Sequence, residues 1–159
     1  MSRLVRYLSI AVIALGIAGL AIGVAFIVEG KAKSDYLKEA MREEQITLGL
    51  TEEQIEQGNL VDTASEAQKA GDTIREHRRS IAPTYGDLLG EGRFDPAIPA
   101  HVTYMQALNL ETYLYFAVAS FGLTTVVQVS GIFMLVTGIA LTIIGVLVLR
   151  LRRPMLQPA

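Results

Sequence analysis

From Thr112 to Leu149 the chain carries 38 consecutive residues without a charge, and that run limits what the polypeptide can become. As one helix it would extend roughly 57 Å at 1.5 Å per residue, nearly twice the hydrocarbon core of a bilayer at roughly 30 Å. Tilting the whole run into the core needs about 58°, beyond the usual range of about 0 to 40°. Part of it therefore leaves the membrane. A fold-back into two short spans near "TTVVQVSG" would put the basic carboxy-terminal cluster on the outer side and would turn on poor turn residues. A single helix anchored at its inner end by Arg150 places 128–149 across the bilayer and 112–127 as a helical extension outside it.

A second uncharged run, Tyr7 to Val28, has the roughly 20 apolar residues a span requires. It exceeds the roughly 7 to 15 residues of a cleaved signal core, so it reads as a retained transmembrane helix. Arg3 and Arg6 precede it, Arg150, Arg152 and Arg153 follow the other run, and neither tail (1–6, 150–159) holds an acid. That bias puts both termini in the cytoplasm; the expected setting is the cytoplasmic membrane of a bacterium. The segment between, 29–111, is then outside, and it holds 9 of the 14 basic residues against all 16 acids. Such an acidic surface disfavours nucleic acid as a partner. The absence of cysteine excludes a disulfide framework and thiolate metal sites.

An apolar helix outside the membrane needs a cover, and residues 29–44 offer one. Ala32, Tyr36, Leu37, Ala40 and Met41 recur there at helical spacing. Ser9, Gly16, Gly23 and Gly30 fall every seven residues on the first helix, and Thr124, Gly131, Gly138 and Gly145 do so on the second. Laid antiparallel, 9 matches 145, 16 matches 138, 23 matches 131 and 30 matches 124. A seven-residue repeat keeps one seam facing its partner, and small residues in lipid let backbones approach. The seam can alternatively face another subunit, and glycine is common in membrane spans in any case.

Outside, Thr51 with Gln54 and Thr63 with Glu66 form capping boxes, starting a short helix that Gly58 and Asn59 can end and a helix of about five turns over "ASEAQKAGDTIREHRRSI". The latter is mostly polar and is expected to lie on a surface rather than in a core. Prolines and glycines from Ala82 to Ala100 predict a loop with little structure of its own, a type often functional. Helix resumes near His101. The expected fold class is an all-α membrane protein: a two-span antiparallel transmembrane helical hairpin whose long helices extend into a small helical extracytoplasmic module.

Arg75, Arg78 and Arg79 share the end of the five-turn helix, where cations meet the negative end of the macrodipole and Asp72 or Glu76 can pair with them. The same cluster, with Tyr85 and Arg93 of the loop, is the candidate contact for an anion or a protein partner. His77 and His101 could join Asp87, Glu91 or Asp95 at a metal, but no spacing holds two ligands on one face, and no metal or cofactor is expected. Nucleophile elbow, P-loop and zinc-protease motifs are absent. Tyr104, Tyr113, Tyr115, Phe116 and Phe121 read as packing or as an interfacial belt. Neither span holds an Asp, Glu, Lys, Arg or His, which disfavours transport. The expectation is a non-enzymatic accessory or assembly subunit whose outer module binds a membrane or extracytoplasmic protein, or a further copy of itself. A sensory module signalling through a partner is the alternative, and a membrane-anchored enzyme the third.

Overall fold

The computed structural model describes residues 2–151, so Arg152 and Arg153 of the basic tail lie outside the described residues. Five helices follow one another: α1 (Ser2–Glu43), α2 (Glu52–Glu56), α3 (Ala64–Ile81), α4 (Tyr85–Leu89) and α5 (Pro99–Leu151), with no strand among the described residues. At 42 and 53 residues, α1 and α5 extend roughly 63 and 80 Å. Both are long and apolar enough to cross a membrane. Only 11% of the residues in the most apolar stretch of each are buried, whereas the core helix of a water-soluble protein is mostly covered.

Helix α1 passes from apolar to charged sequence at Glu29 without a break, because Glu, Lys, Ala, Leu and Met in "EGKAKSDYLKEAM" are strong helix formers. It stops where Gln45 takes φ 51°, the left-handed conformation that closes many helices. Helix α5 opens on Pro99, whose missing N–H costs nothing in a first turn.

The chain divides into two compact units, one formed by the residues up to Lys33 together with those from Thr124 onward, the other by Ser34–Leu123. In the first, α1 and α5 meet along their glycines. The second has a small core of Val61, Ala67, Ala70 and Leu114, flanked by Met41, Ile46, Ile74 and Leu110 among others. Both capping boxes form: Thr51 receives the Gln54 N–H and Thr63 receives the Glu66 N–H, while each partner side chain reaches back to the cap backbone.

Two expectations are corrected in this unit. Helix α3 does not merely lie on the surface: one face is a wall of the core, since Ala67 and Ala70 are fully buried and Gly71 is buried beside them. Its few apolar atoms suffice because small residues permit close approach: a Cβ on Gly71 would stand 3.0 Å from Tyr115 Cε1. Likewise a Cβ on Gly49, which has φ +80°, would stand 3.1 Å from the Ala70 nitrogen. The loop 82–100 is also less bare than its prolines imply. It contains α4, capped by the Thr84 hydroxyl and ended by Gly90 at φ 56°.

Candidate functional site

In the unit Ser34–Leu123, the last turns of α3 present Arg75 and Arg78 to one stripe of α5. That stripe carries Tyr104, Glu111 and Tyr115, spaced seven and four residues apart and so on one helical face. Arg78 Nε donates to Glu111 Oε2 at 2.7 Å, and Arg75 Nε donates to Glu111 Oε1 at 3.1 Å. One carboxylate thus takes two guanidinium groups, one on each oxygen. Arg78 also donates to the Tyr104 hydroxyl, and its guanidinium carbon lies 4.9 Å from the centre of that ring. Arg75 stacks at 4.6 Å over Tyr115, whose hydroxyl donates to Asp72 Oδ1 at 2.6 Å. Asp72 is in turn 3.7 Å from Arg75 and accepts from the Gln68 amide.

Burial turns these contacts into a constraint. Arg78, Tyr104 and Glu111 are 8%, 1% and 7% exposed, and an ion pair withdrawn from water persists only if its remaining polar atoms are bonded. No buried side-chain nitrogen or oxygen among the described residues lacks a partner. Burial pushes the Glu111 carboxyl up, but hydrogen bonds from Arg78 and Arg75 outweigh it and hold the group below the ordinary glutamate value. The same bonds raise both arginines. Asp72 is held low by the hydroxyl of Tyr115 and the amide of Gln68. Tyr115 is pushed up to about 12 by burial and by its bond to Asp72.

Of the five candidate contact residues, the structure gathers three around this network. Arg75 and Arg78 are in it, and the Tyr85 ring lies 6.2 Å from that of Tyr104. Arg79 and Arg93 are exposed and outside it. Glu76 is exposed, and Asp72 is the acid of α3 that pairs with Arg75. The residue sequence reasoning missed is Glu111. Its signal was isolation: it is the one Asp, Glu, Lys or Arg between Asp95 and Arg150.

The two histidines do separate things. His101 is buried and its Nδ1 accepts the Asp95 N–H at 3.0 Å, while His77 is exposed. No group of three potential metal ligands occurs among the described residues. An open polar cleft lies beside Arg42, Asp62 and Glu66, whose side chains are already engaged: Arg42 donates to Asp62, and Glu66 accepts from the backbone N–H groups of Asp62 and Thr63.

In the other unit the seam positions come together in couples. A Cβ on Gly16 would stand 2.8 Å from the Gly138 oxygen, and one on Gly138 would stand 2.7 Å from the Gly16 oxygen. Gly23 and Gly131 stand in the same relation, at 2.8 and 2.7 Å. A Cβ on Gly30 would meet the Thr124 oxygen at 3.2 Å, and one on Gly145 the Ser9 oxygen at 3.1 Å. Among the described residues, Ser9, Gly16, Gly23, Gly30, Thr124, Gly131, Gly138 and Gly145 are also the buried ones of this unit. Backbone lies on backbone, as small residues in apolar helices allow.

No protein-family model, no curated protein and no solved structure matches this chain.

Proposed function

We propose that the chain is a two-span protein of the cytoplasmic membrane, with both termini in the cytoplasm, and that it is an accessory or assembly subunit without catalytic activity. Its glycine-seamed helices form an antiparallel hairpin in the bilayer, and the unit Ser34–Leu123 is an extracytoplasmic module that binds a protein partner. The observation that carries this reading is the outward face of the apolar helices. Leu15, Ile17, Phe133 and Val136 are 64%, 56%, 71% and 62% exposed, a surface that water does not tolerate over such a length and lipid does. The non-catalytic part is supported by the network around Glu111, whose ionisable groups are bonded to one another rather than aimed into a cleft. Arg79, Arg93 and Tyr85 remain exposed for contact.

The chain has no cysteine, so single cysteines report sidedness cleanly. With a membrane-impermeant maleimide on intact cells, Arg79→Cys and Glu91→Cys should label, and Ser2→Cys should label only after permeabilisation. The reverse pattern refutes the topology. Purification in mild detergent should retain another protein that charge reversal of Arg79 and Arg93 releases. A chain that purifies alone and binds a small anion instead supports the sensory alternative.

A further inference from the structure

Among the described residues, His101 is the buried titratable side chain that stands outside the network around Glu111. It is 8% exposed, and its Nδ1 accepts the Asp95 N–H at 3.0 Å. An imidazole nitrogen accepts through its lone pair, so the hydrogen of the neutral ring is on Nε2. Nε2 makes no hydrogen bond to a described residue, and since no buried side-chain nitrogen lacks a partner, it is open to water. The atom left to take a proton is Nδ1. Proton and amide therefore compete for one pair of electrons.

Asp95 is the hub of the strap that leads into α5. Its carbonyl accepts from the Ile98 N–H at 3.2 Å, its Oδ1 accepts from the Ala97 N–H at 2.8 Å, and the Ile98 carbonyl accepts from the His101 N–H at 3.0 Å. The His101 ring closes this circle from the first turn of α5, and the Phe94 ring lies against it with centroids 5.8 Å apart. We propose that this is a pH-operated clasp: neutral His101 holds the Phe94–Asp95 end of the loop on α5, and protonation of Nδ1 releases it.

The charged and titratable groups nearby are already engaged. In the loop, the Asp95 carboxylate is turned to Ala97. On α5, Tyr104 is one turn along and takes Arg78 of α3, which pairs with Glu111. On α4, Tyr85 lies against Tyr104, and Asp87 accepts from the Thr84 hydroxyl. Among the described residues no carboxylate forms an ion pair with His101. A cation in the first turn of a helix also faces the positive end of the macrodipole. Phe94 is 41% exposed, so little apolar burial resists its release. The strap lies wholly within Ser34–Leu123, and the clasp does not depend on the membrane placement. Its consequence does: an extracytoplasmic module senses the outside medium, and the exposed Arg93 adjoins Phe94.

The test uses the full chain in detergent. Histidine gains its charge between about pH 8 and 5, while Glu111 is held below the ordinary glutamate value and Tyr115 is pushed up to about 12, so both titrate outside that window. Over it, the Asp95 amide should lose about tenfold of its protection against hydrogen exchange, measured relative to the unfolded rate at each pH, the factor one hydrogen bond confers. His77→Gln removes the other histidine and should keep the response. His101→Asn offers a side-chain oxygen that takes no proton in this range, and should abolish it. Asp95→Asn should keep it, because the amide and not the carboxylate is the partner. In protein carrying isotope-labelled histidine, Nδ1 of His101 should be bare at about pH 8 and gain its hydrogen in step with the lost protection. Protection that ignores pH, a response that survives His101→Asn or vanishes in His77→Gln or Asp95→Asn, or a hydrogen on Nδ1 at about pH 8 would each overturn the clasp. The last reading is made on the unaltered chain and needs no variant to fold.

Discussion

Glu111 accepts from Arg78 at 2.7 Å across a sequence separation of 33 residues, with both side chains withdrawn from water. This pair joins α3 to α5 by charge in a unit whose apolar core is small. Removing either partner is costly, because the survivor is left charged and buried.

Glu111→Gln should therefore destabilise the unit by about 3–5 kcal/mol, while Arg79→Ala, at an exposed position, should change stability by no more than about 0.5 kcal/mol. Combining Glu111→Gln with Arg78→Met should recover part of the loss, since an apolar replacement leaves no buried charge. Denaturant titration followed by circular dichroism of the four proteins in detergent decides it, and equal costs for Glu111→Gln and Arg79→Ala would disprove the argument.

Acid should act on the same pair. The folded state holds the Glu111 carboxyl below its ordinary value of 4.5, so the stabilisation is complete above that pH and is lost as the pH falls through the lower folded value. Thermal melts at falling pH should show a drop beginning below about pH 4.5 that is smaller in Glu111→Gln. A melting profile that is flat below that point, or as steep in the variant, counts against it.

Alkali should act on Tyr115. Its folded value near 12 exceeds the ordinary 10.0, so the fold retains the proton that the unfolded chain releases. Stability is complete below pH 10 and declines as the pH rises from about 10 to 12. Tyr115→Phe removes the titrating hydroxyl and should flatten this limb, which melts recorded in alkaline buffer would reveal.

Substitutions along the glycine couples should separate by distance. A Cβ at Gly138 falls 2.7 Å from the Gly16 oxygen, one at Gly19 falls 3.5 Å from the Gly138 Cα, and one at Gly122 meets nothing. Gly138→Ala should cost roughly 1–3 kcal/mol through forced separation of the backbones. Gly19→Ala and Gly122→Ala should cost little, and melting temperatures in one detergent should rank them in that order.

The elements that were legible in the sequence are those fixed by local or periodic signals. Thr51 and Thr63 cap helices because the box is written within four residues, and Gly16, Gly23, Gly131 and Gly138 recur at an interval that assigns each to a face. The Arg75–Arg78–Glu111 network was only half visible: the arginines cluster in sequence, but their carboxylate lies 33 to 36 residues away on another helix. The place of α3 was misread for a different reason. Hydropathy weighs what a side chain contributes and not how close a backbone can come, and Ala67, Ala70 and Gly71 pack through proximity.

A contact made of main-chain atoms has no rotamers to rearrange. Where Gly16 lies against Gly138 and Gly23 against Gly131, evolutionary drift has few compensating moves: the outward-facing residues can be exchanged among apolar types, but a new methyl on the seam cannot be accommodated by reshaping a neighbour. Distant descendants of this chain should keep those four positions small long after the rest of both helices has become unrecognisable.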